Sequence, residues 1–91
     1  MDGQRQRQAL TAAERAVEAL GQADIGGART AAARAAELDQ VGLFGGLVVA
    51  VELAASDLES NGKIKETTWN VLADSVGPGP IAGLIEAVRG G

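Results

Sequence analysis

The chain has 91 residues, a formal net charge of −4 and a 46% hydrophobic composition that is only 2% aromatic, Phe44 and Trp69 being its sole rings. That length suits one domain around one small core, and the acidic balance opposes the phosphate attraction on which nucleic-acid binding rests, so no nucleic-acid partner is expected. With neither Cys nor His, disulfides, thiolate or imidazole catalysis and the common zinc sites are excluded, and the chain reads as a non-enzyme that needs no cofactor.

At the amino end, Gln4-Arg5-Gln6-Arg7-Gln8 runs straight into an amphipathic pattern without the long apolar stretch of a secretory signal, which implies a cytoplasmic protein. Ala9, Ala12, Ala13, Ala16, Val17 and Leu20 repeat at steps of three and four, the stripe of a first helix over about residues 4 to 21 with Gly21 as its stop. Asp24 is placed to cap a second helix. Its inner face is Ala28, Ala31, Ala32, Ala35 and Leu38, with Arg29, Arg34 and Glu37 turned outward.

A third helix is expected over about residues 42 to 60, with Phe44, Leu47, Val48, Val51, Ala54, Ala55 and Leu58 on one face and Leu43, Ala50 and Leu53 beside them. Apolar around more than half its circumference, it should be the central helix. Its greasiest run, Leu43 to Val51, is too short to span a bilayer and meets Glu52 at once, so no membrane role is expected. Glu52 should reach solvent or pair with an arginine of the first two helices. Asn61-Gly62 suits a left-handed helix end, and a fourth helix re-enters near Lys65 or Glu66 with Trp69, Leu72, Ala73 and Val76 inward. Gly77-Pro78-Gly79-Pro80 cannot continue it, but Pro80 can begin a fifth, with Ile81, Leu84, Ile85 and Val88 inward. Met1-Asp2-Gly3 and Arg89-Gly90-Gly91 should be frayed ends.

No segment alternates with the period of two of a half-buried strand. The expectation is therefore all-α: one domain over residues 1–91, a compact bundle of about five short helices with the third central. Within it, an alanine-rich hairpin (4–40) differs sharply from a core-rich remainder (42–91). Residues 1–40 hold twelve alanines and few large aliphatics, whereas residues 41–91 hold eighteen large hydrophobes and six alanines. Since burial is worth roughly 25 cal/mol per Å² of apolar surface, the hairpin must lie against the richer half.

Two local resemblances stand out. Residues 12–40 resemble a single tetratricopeptide repeat, carried by Ala28, Ala32 and Ala35 at small-residue spacing, Ala23-Asp24-Ile25 at the turn and Glu37-Leu38-Asp39 at the end. The resemblance implies a helical hairpin. The sequence departs from the repeat at Ala12 and Ala19, where rings are usual, and at Gln40, where proline is usual, and no second copy follows. Residues 57–68 resemble an EF-hand calcium loop. Asp57, Glu59 and Asn61 would offer side-chain oxygens, Lys63 its carbonyl, Gly62 the turn and Ile64 the apolar contact. The twelfth position is Thr68 instead of a bidentate Glu, and Lys65 puts a cation at the ninth.

A helix as broadly apolar as the third is hard to cover with thin alanine faces. The functional expectation is therefore protein–protein interaction or self-association, a protein partner or homodimer docking on Phe44, Leu47, Val51 and Trp69. The alternative is a metal-responsive helix-loop-helix module built on Asp57, Glu59, Asn61 and Lys63. Ser56, Ser60, Thr67 and Thr68 have no histidine to activate them as nucleophiles.

Overall fold

Helical periodicity is realised in five segments: α1 (Asp2–Gly21), α2 (Ile25–Leu38), α3 (Gly45–Asn61), α4 (Glu66–Val76) and α5 (Pro80–Gly90). This computed structural model describes residues 2–77 and 79–90, Asp2 in its backbone only, and among them there is no strand. Met1, Pro78 and Gly91 lie outside the described residues.

The turn from α1 to α2 is built almost wholly from local chemistry. The Asp24 amide donates to the Ala19 carbonyl at 2.9 Å and the Ala23 amide to Leu20 at 3.1 Å, the paired bonds of a Schellman motif. Gly21 is the last helical residue, but the left-handed position falls on Ala23 (φ 57°), the one non-glycine residue with positive φ among those described. Gly21 serves a different purpose, since a Cβ there would come within 2.7 Å of Val88 Cγ1. Asp24, which closes the Schellman motif, also starts the next helix, its Oδ1 accepting from the Gly27 amide at 3.0 Å. Three residues thus reverse the chain.

The remaining helices continue up and down and then close on the first. Arg5 donates to the Glu37 carbonyl at 3.2 Å, setting α2 antiparallel to α1. Ser75 lies against Gly46 and Thr68 against Asp57, setting α4 antiparallel to α3. Val88 approaches Gly21 while Pro80 and Ile81 lie near Gly3 and Arg7, so α5 returns parallel to α1. Each helix packs on the next, α5 packs on α1, and α1 and α3 touch across the middle. The Cα radius of gyration, 12.0 Å, matches the roughly 12 Å of a compact chain of this length, so no helix is splayed from the ring. No helix among the described residues is long and apolar enough to cross a membrane.

As the expected centre, α3 packs on three helices, and α1 does so too. The core joins Ala9, Ala13 and Val17 of α1 and Ala28 and Ala35 of α2 to Leu47, Val51 and Ala54 of α3, with Leu72 and Ile85 from the last two helices. Three boundaries differ from expectation. Helix three begins at Gly45 instead of 42, because Gly42 takes a left-handed conformation (φ 71°) in a loop held by Asp39. The carboxyl end is helical through Gly90 instead of frayed, because Arg89 pairs with Glu66 and donates to Asn70 Oδ1 at 3.2 Å, and α1 is helical from Asp2. Gly62 does end α3 in the left-handed conformation, and Pro80 does begin α5.

The strained Ala23 gives a direct test. A left-handed L-residue costs roughly 1–2 kcal/mol, and glycine carries no such cost. Ala23→Gly should therefore raise unfolding stability by about 1 kcal/mol, read as a higher urea midpoint at unchanged slope.

Candidate functional site

The calcium-like segment is the first place to look for chemistry, and α3 decides its geometry by running four residues further than a calcium loop would allow. Asp57, Glu59 and Asn61 are helical. Asp57 and Asn61 therefore share a face, and Glu59, two residues on from Asp57, turns to the opposite side. There it accepts from Arg29 Nη1 at 3.3 Å, next to Glu52, which accepts from Arg29 Nε at 3.0 Å. These acceptors, that of Glu59 foremost, raise the Arg29 guanidinium above its ordinary value despite partial burial. Glu52 thus pairs with an arginine of α2, as expected. The pairs span the α2–α3 seam but are too exposed to add much stability.

Asp57 is aimed the other way, at the start of α4. Its Oδ2 accepts from the Thr68 hydroxyl at 2.5 Å and from the Lys65 amide at 3.2 Å. Lys65, the N-cap of α4, makes no side-chain cap of its own, so the cap is supplied from the preceding helix. The Thr68 bond, opposed by burial and aided by the Lys65 amide and ammonium, holds the Asp57 carboxyl below the usual aspartate range. Thr68 is the one buried polar side chain among the described residues, and it is satisfied. Lys63 is exposed in the loop. The four positions proposed for a metal are therefore not brought together, and among the described residues no three acidic side chains converge. The oxygen that would begin a calcium shell is spent on a helix cap.

A second carboxylate, Asp39, which the sequence presents only as the end of the repeat-like segment, does the same for α3. Asp39 accepts from the Leu43 amide at 3.0 Å, the Phe44 amide at 2.7 Å and Gln6 Nε2 at 2.9 Å. Gln6 Oε1 in turn accepts from the Gln40 amide at 3.1 Å, tying α1 to the loop. Burial pushes the Asp39 carboxyl up, but the Gln6 bond and the Phe44, Leu43 and Val41 amides outweigh it and hold it below its ordinary value. The signal available in the sequence was an aspartate five residues ahead of Phe44, the N-cap of a helix that lacks a local side-chain cap.

Of the four residues expected to form an interface, three lie inside the chain's own core and one is partly exposed. Phe44, Leu47 and Val51 are buried within the chain's own core, and Trp69 is half-buried against it. The large apolar side chains left to solvent are Val41 (73% exposed), Leu43 (63%), Val49 (62%), Leu53 (48%) and Val71 (43%). Three of these form one patch. Gly46 opposite Ser75 and Asp57 opposite Thr68 fix an antiparallel register that sets Leu53 across the α3–α4 seam from Val71. Val49 lies one helical turn from Leu53. The sequence pattern places Leu53 on the flank of the core face and gives no separate sign of Val49 or Val71.

The surface of the described residues also carries two concavities. One, of about 800 Å³, runs along the outer seam of α1 and α2 between Arg15 and Arg34 over alanine and glycine. The other, of about 520 Å³, opens where the amino ends of α1 and α5 meet the start of α3 and the end of α4. No protein-family model, no curated protein and no solved structure matches the chain. The tetratricopeptide-like and calcium-loop-like resemblances therefore rest on their own residues.

The two aspartate clamps make stability fall in acid. Both carboxyls titrate lower in the folded chain than in the unfolded one, where an aspartate titrates near 3.9. Their contribution is complete above that value and is lost as pH falls through the lower folded values. Urea midpoints should drop between about pH 5 and pH 2.5, and the drop should be smaller in a D39N/D57N variant. Equal losses in both proteins would show that the clamps do not contribute.

Proposed function

We propose that the chain is a self-associating helical module whose α3–α4 face pairs with the same face of a second copy. The observation that supports this most is the exposed triad Val49, Leu53 and Val71, which lies on and beside the most hydrophobic run of the chain instead of being scattered. Around it the outward arc of α3 carries Gly45, Ser56 and Ser60 and no charge, while Glu52 at its edge is held by Arg29. A two-fold interface needs only one self-complementary patch. An uncharged aliphatic stripe along a helix meets that need, because the stripe can lie antiparallel on its own copy without bringing like charges together.

The role we infer is binding, with no chemistry performed. With His and Cys missing from the sequence and the two best-placed aspartates committed to helix starts, the surface offers shape and apolar area more than reactive groups. The same patch suits a different helical protein, and the experiment separates the two.

Sedimentation at tens of micromolar should show a species of twice the 9.2 kDa chain mass. Val49→Glu with Leu53→Glu should weaken association by about a hundredfold or more, given the roughly 1.5–3 kcal/mol lost per aliphatic side chain. The thermal midpoint of the monomer should be little changed, since neither residue is in the core. A 9.2 kDa species throughout this range would overturn self-association and leave a foreign partner as the occupant.

A further inference from the structure

The 520 Å³ cleft is separate from the α3–α4 patch, and its construction has a chemical direction. Its floor is Phe44 and Ile81, both buried, and its walls are Leu10, Val76 and Pro80, with Leu43 exposed at the mouth. These come from three helices, α1, α4 and α5, and the loop before α3, so no single element can close it. Its size lies in the range of small-molecule sites, which are typically apolar with a few polar groups that set orientation.

The polar groups at the rim are unequal in what they can still do. Gln6 is committed on both sides, donating to Asp39 and accepting from Gln40. The Ser75 hydroxyl donates to the Leu72 carbonyl at 2.7 Å. Arg7 is one turn ahead of Leu10 on the same stripe of α1, it is exposed, and no carboxylate among the described residues lies within ion-pair distance of it. The cleft therefore combines an apolar trough with one cation at its edge.

We propose that this cleft binds a linear alkyl carboxylate, its chain along Leu10, Phe44, Val76 and Ile81 and its carboxylate on the Arg7 guanidinium. The guanidinium offers a bidentate fork that matches a carboxylate, and the trough offers no hydrogen-bond partner that would favour a polar body. The proposal does not depend on self-association, because the residues that carry it are not those of the Val49–Leu53–Val71 patch.

Hexanoate, octanoate and decanoate, kept below their micellar range, are titrated against the full ¹⁵N-labelled chain, with decan-1-ol as the uncharged control. Amide shifts should concentrate at Leu10, Phe44, Val76 and Ile81, and affinity should rise about fourfold per added methylene. Arg7→Gln should weaken decanoate about tenfold and leave decan-1-ol unchanged, and the V49E/L53E variant should bind decanoate as well as the parent does. Shifts centred on Val49, Leu53 and Val71, equal loss of acid and alcohol in Arg7→Gln, or no shift at millimolar decanoate would each overturn the assignment.

Discussion

Alanine packed on alanine along α1 and α2 is the constraint to which the rest of the fold answers. Ala9, Ala13 and Ala16 on one helix and Ala28, Ala32 and Ala35 on the other are all buried. Small side chains let the two backbones lie close, but each methyl removes little surface from water. The hairpin gains order from a three-residue turn and gains little free energy from its own seam. Its larger buried side chains, Val17, Leu20 and Leu38, must then be covered by the second half. That requirement accounts for the closed ring, in which α3 touches both helices of the hairpin and α5 returns to α1 where Gly21 leaves space for Val88.

Carboxylates set where three of the five helices begin. Asp24 caps α2 from the adjacent position, Asp39 holds the Phe44 amide at the start of α3, and Asp57 holds the Lys65 amide at the start of α4. Each places negative charge at a helix amino terminus, where the free amides and the helix dipole favour it. The last two act across a loop, so they fix the angle between successive helices as well as the end of one. In α5 a proline at the first position replaces the carboxylate. An acidic chain thereby spends three of its carboxylates on helix starts.

What the sequence made legible is what depends on neighbours along the chain. The five apolar stripes, the Asp24 cap, the Gly62 end and the Pro80 start are all local, and all are present. The late start of α3 was hidden because its cause, the bond from the Phe44 amide to Asp39, competes with an uninterrupted apolar pattern. Thr68 read as a defective calcium ligand because its partner is eleven residues away. The open face was missed for a related reason. Leu47 and Val51 lie with Ala54, Ala55 and Leu58 on the broadest apolar face of α3, with Phe44 as its N-cap, and a chain buries its broadest apolar face in itself first. A surface for a partner is made of what remains once the internal register is set, and only the pairing of α3 with α4 shows that Val49, Leu53 and Val71 remain.

If the alanine hairpin is held by the aliphatic half, it has no fold of its own. The direct measurement is thermal unfolding of a peptide of residues 1–40, followed by circular dichroism beside the full chain. The account predicts a shallow, non-cooperative loss of partial helicity for the peptide against a single sigmoidal transition for the whole. A cooperative transition in the peptide, at a midpoint near that of the full chain, would contradict it.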